Sequence, residues 1–213
     1  MTTRDPPLLA PLLFPSSVAV IGAGRSGLGR LVLEHLIAGG YRGQVQVVHP
    51  KAERVGDVPA FASVEELPAA PDLAVVVLPR EGAVASVADL AARCCGAAVV
   101  VSAGFGETGA AGSHLELEMV EAAARRGMRL LGPNCMGLVH THPRARLHAS
   151  FGVGPAPVGS LALVTQSGSV GDYVLYHAAS AGFGISLLAS VGNEADITRG
   201  ELVLAAARDR RTR

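Results

Sequence analysis

Tryptophan is absent from this sequence, and tyrosine and phenylalanine number only three and five. The core must therefore come from alanine, valine, leucine and glycine, small residues that suit layered sheet-and-helix packing. Net charge is missing too, since 18 Lys and Arg balance 18 Asp and Glu. No basic surplus is left to grip a nucleic acid, so none is expected as a partner. Cysteine is scarce: Cys94 and Cys95 adjoin and Cys135 lies far away. That is a poor disulfide framework without metal-ligand spacing, and it points to a reduced, cytoplasmic setting. Long apolar runs are lacking. The stretch before Phe14 is broken by Pro11 and follows Asp5, so it is neither a secretory signal nor long enough for a membrane span.

What is present is organised around Ser17–Arg30, SVAVIGAGRSGLGR. Val18–Ile21 is a short continuous apolar run, the signature of a strand buried on both faces. Gly22, Gly24 and Gly27 follow in G-x-G-x-x-G spacing, and a helical pattern runs from Leu28 to Ala38. Strand, glycine turn and helix in that order make a phosphate site: the backbone can approach the ligand, and the helix offers free N–H groups. The second strand, Val45–His49, runs out into Pro50 and Lys51. An NAD site would place a carboxylate there to hold the ribose 2′-hydroxyl. A lysine instead suits a ribose carrying an extra phosphate, as in NADP or coenzyme A.

Further along, strands are predicted at Leu73–Leu78, Ala97–Ser102 and Met128–Leu131, with helices at Val84–Arg93 and from Ser113 to about Arg126. Capping boxes are read at Ser63/Glu66, opening a short helix, and at Ser113/Glu116. Alternating strands and helices call for a doubly wound parallel α/β sheet, with ligands at the C-terminal strand ends. Gly132–Gly137, GPNCMG, should face the same crevice. His140, His142 and His148 read as a histidine-rich loop; His-x-His lacks an evident third ligand, so no metal is assigned. Phe151–Gly159 reads as a linker. Beyond it come a strand at Leu161–Val164, a polar turn at Thr165–Ser169, a helix at Val170–Ala181, a strand at Ile185–Val191 and a helix at Glu201–Arg208. Two strands and two helices are too few for an independent domain. Residues 1–150 are thus expected to form one domain, and 151–213 an incomplete second one.

Several stretches together resemble the NDP-forming acyl-CoA synthetases, relatives of the succinyl-CoA synthetase α subunit whose modules also occur fused to protein acetyltransferases. They are SVAVIGA, VHPK at 48–51, PDLAVVVLP at 71–79, VVVSAGFGETG at 99–109, GMRLLGPNCMGL at 127–138, VTQSG at 164–168 and SVGNEAD at 190–196. The resemblance implies a Rossmann-like domain followed by a truncated flavodoxin-like ligase domain, and favours coenzyme A over NADP. It sets Gly22, Gly24, Arg25, Ser26 and Gly27 against the CoA phosphates and Lys51 on a phosphate. It runs Ser102, Ala103 and Gly104 along the CoA, with Asn134 and Cys135 near its thiol. Gln166, Ser167 and Gly168 match a helix N-terminus that receives a phosphohistidine. The histidine itself belongs downstream in the family, so no catalytic residue is assigned, and an ATP-grasp β-type subunit or complementing chain is implied, within an oligomer. A CoA- or acyl-CoA-sensing module is the alternative; an NADP oxidoreductase is weakened by the absence of a Tyr-x-x-x-Lys pattern.

Overall fold

The computed structural model describes residues 9–152 and 156–213. Its first layer is a seven-stranded sheet in the order β3-β4-β2-β1-β5-β6-β7. The central strand β1 (Ser17–Ile21) pairs in parallel with β2 (Gln44–Val48) on one side and β5 (Leu73–Val76) on the other. β6 (Ala97–Val100) and β7 (Arg129–Leu131) extend the parallel set. Val18, Ala19, Val20 and Ile21 are all buried, as are all four residues of β5 and of β6, because helices cover both faces. These are α2 (Leu28–Ala38), α3 (Arg80–Ala92) and α4 (Ala110–Ala124), after a single opening turn, α1 (Ala10–Leu13). The chain order reverses between β1 and β5, which makes their C-terminal ends the switch point of the sheet.

Several local expectations are corrected. Residues after β2 form a small hairpin, β3 (Arg54–Val55) with β4 (Val58–Phe61), and β4 adds to the sheet beside β2. No helix forms at Ser63–Glu66: Glu66 turns back to accept the Ala62 N–H at 3.2 Å. Pro68 and Pro71 leave too short a run there for a helical nucleus to propagate. α3 starts at Arg80, directly after Pro79, and not at Val84. α4 starts at Ala110 with Gly109 as its cap, three residues before the expected box. Ser113 therefore lies inside the helix, its hydroxyl donating to the Gly109 carbonyl at 3.2 Å.

The histidine-rich segment is a loop only at His142, while His140 and His148 lie in strands. β8 (Gly137–His140) and β9 (Leu147–Ser150) form an antiparallel hairpin within a second sheet of order β10-β11-β8-β9. β10 (Val158–Thr165) and β11 (Ile185–Ser190) are parallel, and β11 runs antiparallel to β8. The sheet built from the C-terminal strands thus contains four strands, not two. β10 begins inside the expected linker, of which residues 153–155 lie outside the described ones. The helices of this half are α5 (Gly168–Ala178) and α6 (Arg199–Arg208), the latter held by a capping box between Thr198 and Glu201.

Two devices lock the halves together. His35 of α2 stacks on buried His148 of β9, with ring centroids 4.5 Å apart, and its Nδ1 donates to the Ser150 carbonyl at 2.9 Å. On the other side Arg129 of β7 is buried between Asp196 and Glu201, at 2.9 and 3.0 Å.

Candidate functional site

The turn after β1 follows from sterics. Gly22 has φ +93, and a Cβ there would lie 2.2 Å from the Val77 carbonyl oxygen. Only glycine fits at this switch point between β1 and β5. Arg25, Ser26 and Gly27 are exposed beyond it. Gly27 caps α2 without any side-chain hydrogen bond, which leaves the first-turn N–H groups without a side-chain acceptor, the arrangement that suits a phosphate. Beside it, the His49 ring comes within 3.5 Å of where a Gly24 Cβ would stand. Its Nδ1 accepts the Lys51 N–H at 3.2 Å, so in the neutral ring the proton lies on Nε2, the atom nearest Gly24. Lys51 is exposed after β2, and no carboxylate ends the strand.

The next wall follows β6. The Leu78 N–H donates to the Ser102 hydroxyl at 3.2 Å, and the Ser102 carbonyl accepts the Asn134 N–H at 2.9 Å. Gly104 and Phe105 donate their N–H groups to Glu107 at 2.6 and 3.2 Å, and Gly106 donates to Glu116 at 3.1 Å. Gly104 can therefore offer a ligand its surface but not its N–H. Burial alone would raise the Glu107 carboxyl, yet hydrogen bonds from Asn193, Gly104 and Phe105 outweigh it and hold it below the usual range. Asn193 is the hub of this network: its amide donates to Glu107 at 2.6 Å and Glu116 at 2.7 Å, and accepts from Asn134 at 3.4 Å. Cys135 is buried, with its thiol donating to the Val100 carbonyl at 3.3 Å. Burial pushes that thiol up to about 12, so it is a packing group and no nucleophile at neutral pH.

The third wall is the start of α5. Ser167 is its N-cap, exposed and without a side-chain hydrogen bond to the helix. Gly168 allows α5 to approach the Gly132–Gly137 turn, since a Cβ would lie 3.0 Å from that of Met136. A cavity of about 380 Å³ results, where Leu28 of α2, Ala103 after β6, Asn134, Cys135, Met136 and Gly168 meet. Val101, Phe151, Ser169 and Asp172 complete it.

Of the residues singled out from sequence, Ala103, Asn134, Cys135 and Gly168 thus share one cavity. The Gly22–Gly27 turn adjoins it through Leu28. Lys51 lies apart, past Gly24 along the strand ends, and Gln166 and Ser167 sit on the exposed approach to α5. Sequence reasoning missed Asn193, Glu107, Met136, Phe151 and Asp172. Asn193 and Glu107 lay within quoted motifs, and Phe151 within the presumed linker. A larger cavity, about 580 Å³, lies between α1 and the tail after α6, lined by Leu13, Phe14, Leu187 and Arg211 among others. It abuts the segment leading into β1 and has no part in the strand-end crevice.

Comparison with known proteins decides the family. Residues 16–141 match the CoA binding domain, and residues 158–213 the succinyl-CoA ligase like flavodoxin domain. The chain belongs to the CoA-binding domain family. This CoA-binding chain is 38% identical over 192 residues to the α subunit of ADP-forming acetate–CoA ligase II from Pyrococcus furiosus, covering 89% of itself and 41% of that protein. The α subunit of ligase I from the same organism is 35% identical over 211 residues, covering 96% and 45%. Among solved structures, the dinucleotide forming acetyl-coenzyme A synthetase 1 of Ca. Korarchaeum cryptofilum, in complex with phosphate and ADP, superposes with a TM-score of 0.90. It is 33% identical, with 96% of this chain and 44% of that one covered. The chain spans less than half the length of these relatives. The geometry fits coenzyme A: the turn at Gly22 leaves no room for a Cβ, α2 lacks a side-chain cap, and Lys51 stands where an NAD site needs a carboxylate.

Proposed function

We propose that this chain is the CoA-binding portion of an NDP-forming acyl-CoA synthetase, which converts acid, CoA and NTP into acyl-CoA, NDP and phosphate. The observation that carries this reading is the meeting of two helix N-termini, α2 and α5, around one cavity. One suits the CoA pyrophosphate and the other a phosphoryl group. In this reading Arg25, Ser26 and the Gly22–Gly27 backbone hold the pyrophosphate. Lys51, with the His49 ring beside Gly24, faces the ribose phosphate. Ser102, Ala103 and Gly104 flank the pantetheine, and Asn134 and buried Cys135 border the thiol end. Gln166, Ser167 and Gly168 receive the phosphoryl group that activates the acid; CoA then attacks the acyl phosphate and phosphate leaves.

None of the seven histidines lines the cavity. The phosphoryl carrier is therefore sought in a further segment or chain, together with an ATP-grasp partner in an oligomeric assembly. Three free cysteines suit a reducing compartment such as the cytoplasm. The test is to incubate the purified chain with acid, CoA and magnesium ATP, alone and with an ATP-grasp subunit plus the downstream histidine segment of a relative. Acyl-CoA is expected only in the mixture. Acid-labile phosphate on the isolated chain, abolished by changing His140, His142 or His148, would refute the assignment of the carrier to another segment.

A further inference from the structure

The cavity of about 580 Å³ between α1 and the tail after α6 lies outside the CoA reading. Its size falls within the ~300–1,000 Å³ of small-molecule sites, which favour seams between domains. Leu13 and Phe14 of the first half and Leu187 and Ala206 of the second give it apolar walls.

Its polar groups make two opposite demands. His140 lines it, is 4% exposed, and donates from Nδ1 to the Leu13 carbonyl at 2.9 Å. In the neutral ring this leaves a bare lone pair on Nε2. Burial draws the imidazole below its ordinary value, so the ring is neutral at pH 7. Nε2 stands 3.8 Å from Asp209 Oδ2, too far for a direct hydrogen bond. Asp209 Oδ1 is already taken by the Arg211 N–H at 2.9 Å. Two acceptors therefore lie side by side at the cavity, and a group with two or more hydrogens would bridge them.

Arg211 makes the opposite demand. It also lines the cavity, and its Nη1 is buried without an acceptor among the described residues. A buried guanidinium N–H without an acceptor is costly, and a carboxylate relieves it best. Arg208 and Arg210, both exposed, border the same space. Three arginines against one carboxylate oppose a simple amine. A simple carboxylate, in turn, leaves His140 Nε2 and Asp209 Oδ2 unbridged. A zwitterion meets both demands.

We propose that this cavity binds a free α-amino acid with an apolar side chain. Its ammonium sits between His140 Nε2 and Asp209 Oδ2, its carboxylate on Arg211, and its side chain against Leu13, Phe14 and Leu187.

Calorimetry on the full chain with leucine, methionine and phenylalanine tests it, beside 4-methylpentanoate and 3-methylbutylamine, which are leucine without its amine and without its carboxylate. At least one of the three amino acids should bind, and leucine should bind about tenfold or more tightly than either analogue. Asp209→Asn should bring leucine down to the level of 4-methylpentanoate, and Arg211→Gln to that of 3-methylbutylamine. Neither residue borders the CoA crevice, so both variants should take up CoA as the wild type does. The wild-type comparison stands even if a variant misfolds. No binding by any of the three amino acids would overturn the proposal, as would analogues that match leucine, or leucine binding that both folded variants leave unchanged. Failure of CoA to bind while leucine still binds would overturn the CoA reading and leave this site standing.

Discussion

Replacing Arg129 with alanine tests how the two sheets are held together. Its side chain is 5% exposed and sits between Asp196 and Glu201, each 17% exposed. Nε reaches both Asp196 oxygens, at 3.2 and 2.9 Å, and Nη2 reaches both Glu201 oxygens, at 3.0 and 3.3 Å. Removing the guanidinium leaves two carboxylates near each other in a mostly dry site. Partial compensation remains, because Asp196 still accepts the Leu130 N–H at 2.8 Å and Glu201 the Thr198 N–H at 3.0 Å. Breaking a buried pair from one side costs about 3–5 kcal/mol, and these residual bonds put Arg129→Ala at the lower end. Urea unfolding should show the loss, and hydrogen exchange should locate it in β7 and α6 rather than in β1 and β5. A wild-type midpoint with unchanged exchange in α6 would refute the idea that this triad joins the halves.

Two other perturbations follow from burial and close approach. Burial, with the charge of neighbouring His35, pushes the His148 imidazole down to about 4 from 6.5. Below pH 6.5 the unfolded chain takes up a proton that the folded one refuses, so stability falls as pH drops from 6.5 toward 4, by about 3 kcal/mol in all; urea unfolding against pH should show this slope, and His148→Leu should flatten it. Gly22→Ala forces a Cβ to within 2.2 Å of the Val77 carbonyl at φ +93; it should cost about 1–3 kcal/mol by thermal unfolding and weaken CoA binding together with it.

The parallel sheet was legible because strands buried on both faces read as unbroken apolar runs, as Val18–Ile21 and Leu73–Val76 do. β8 and β9 were hidden by chemistry that resembles a solvated loop. His140 and His148 are each 4% exposed, but their burial depends on Leu13, whose carbonyl accepts from His140 Nδ1 at 2.9 Å, and on the His35 ring. Both partners are over a hundred residues away in the chain. β3 was too short to carry a period. Capping boxes show the weakness of a four-residue pattern: those at Ser63 and Ser113 do not form, while the one at Thr198 does and was not read. In the site, the glycine turn announced itself by spacing. The cavity at the start of α5 could not, since Leu28, Asn134, Phe151 and Asp172 come together only through tertiary packing, and their side chains carry no joint pattern.

What the glycine turn holds decides the function of this chain. Isothermal calorimetry of the chain with CoA, dephospho-CoA, NADP and NAD measures this directly, and Lys51→Glu adds the decisive arm. CoA should bind more tightly than dephospho-CoA and both nicotinamide nucleotides, and Lys51→Glu should weaken CoA about tenfold more than dephospho-CoA. NAD binding as tightly as CoA, or equal losses for CoA and dephospho-CoA in the variant, would contradict a site built for coenzyme A with Lys51 on its ribose phosphate.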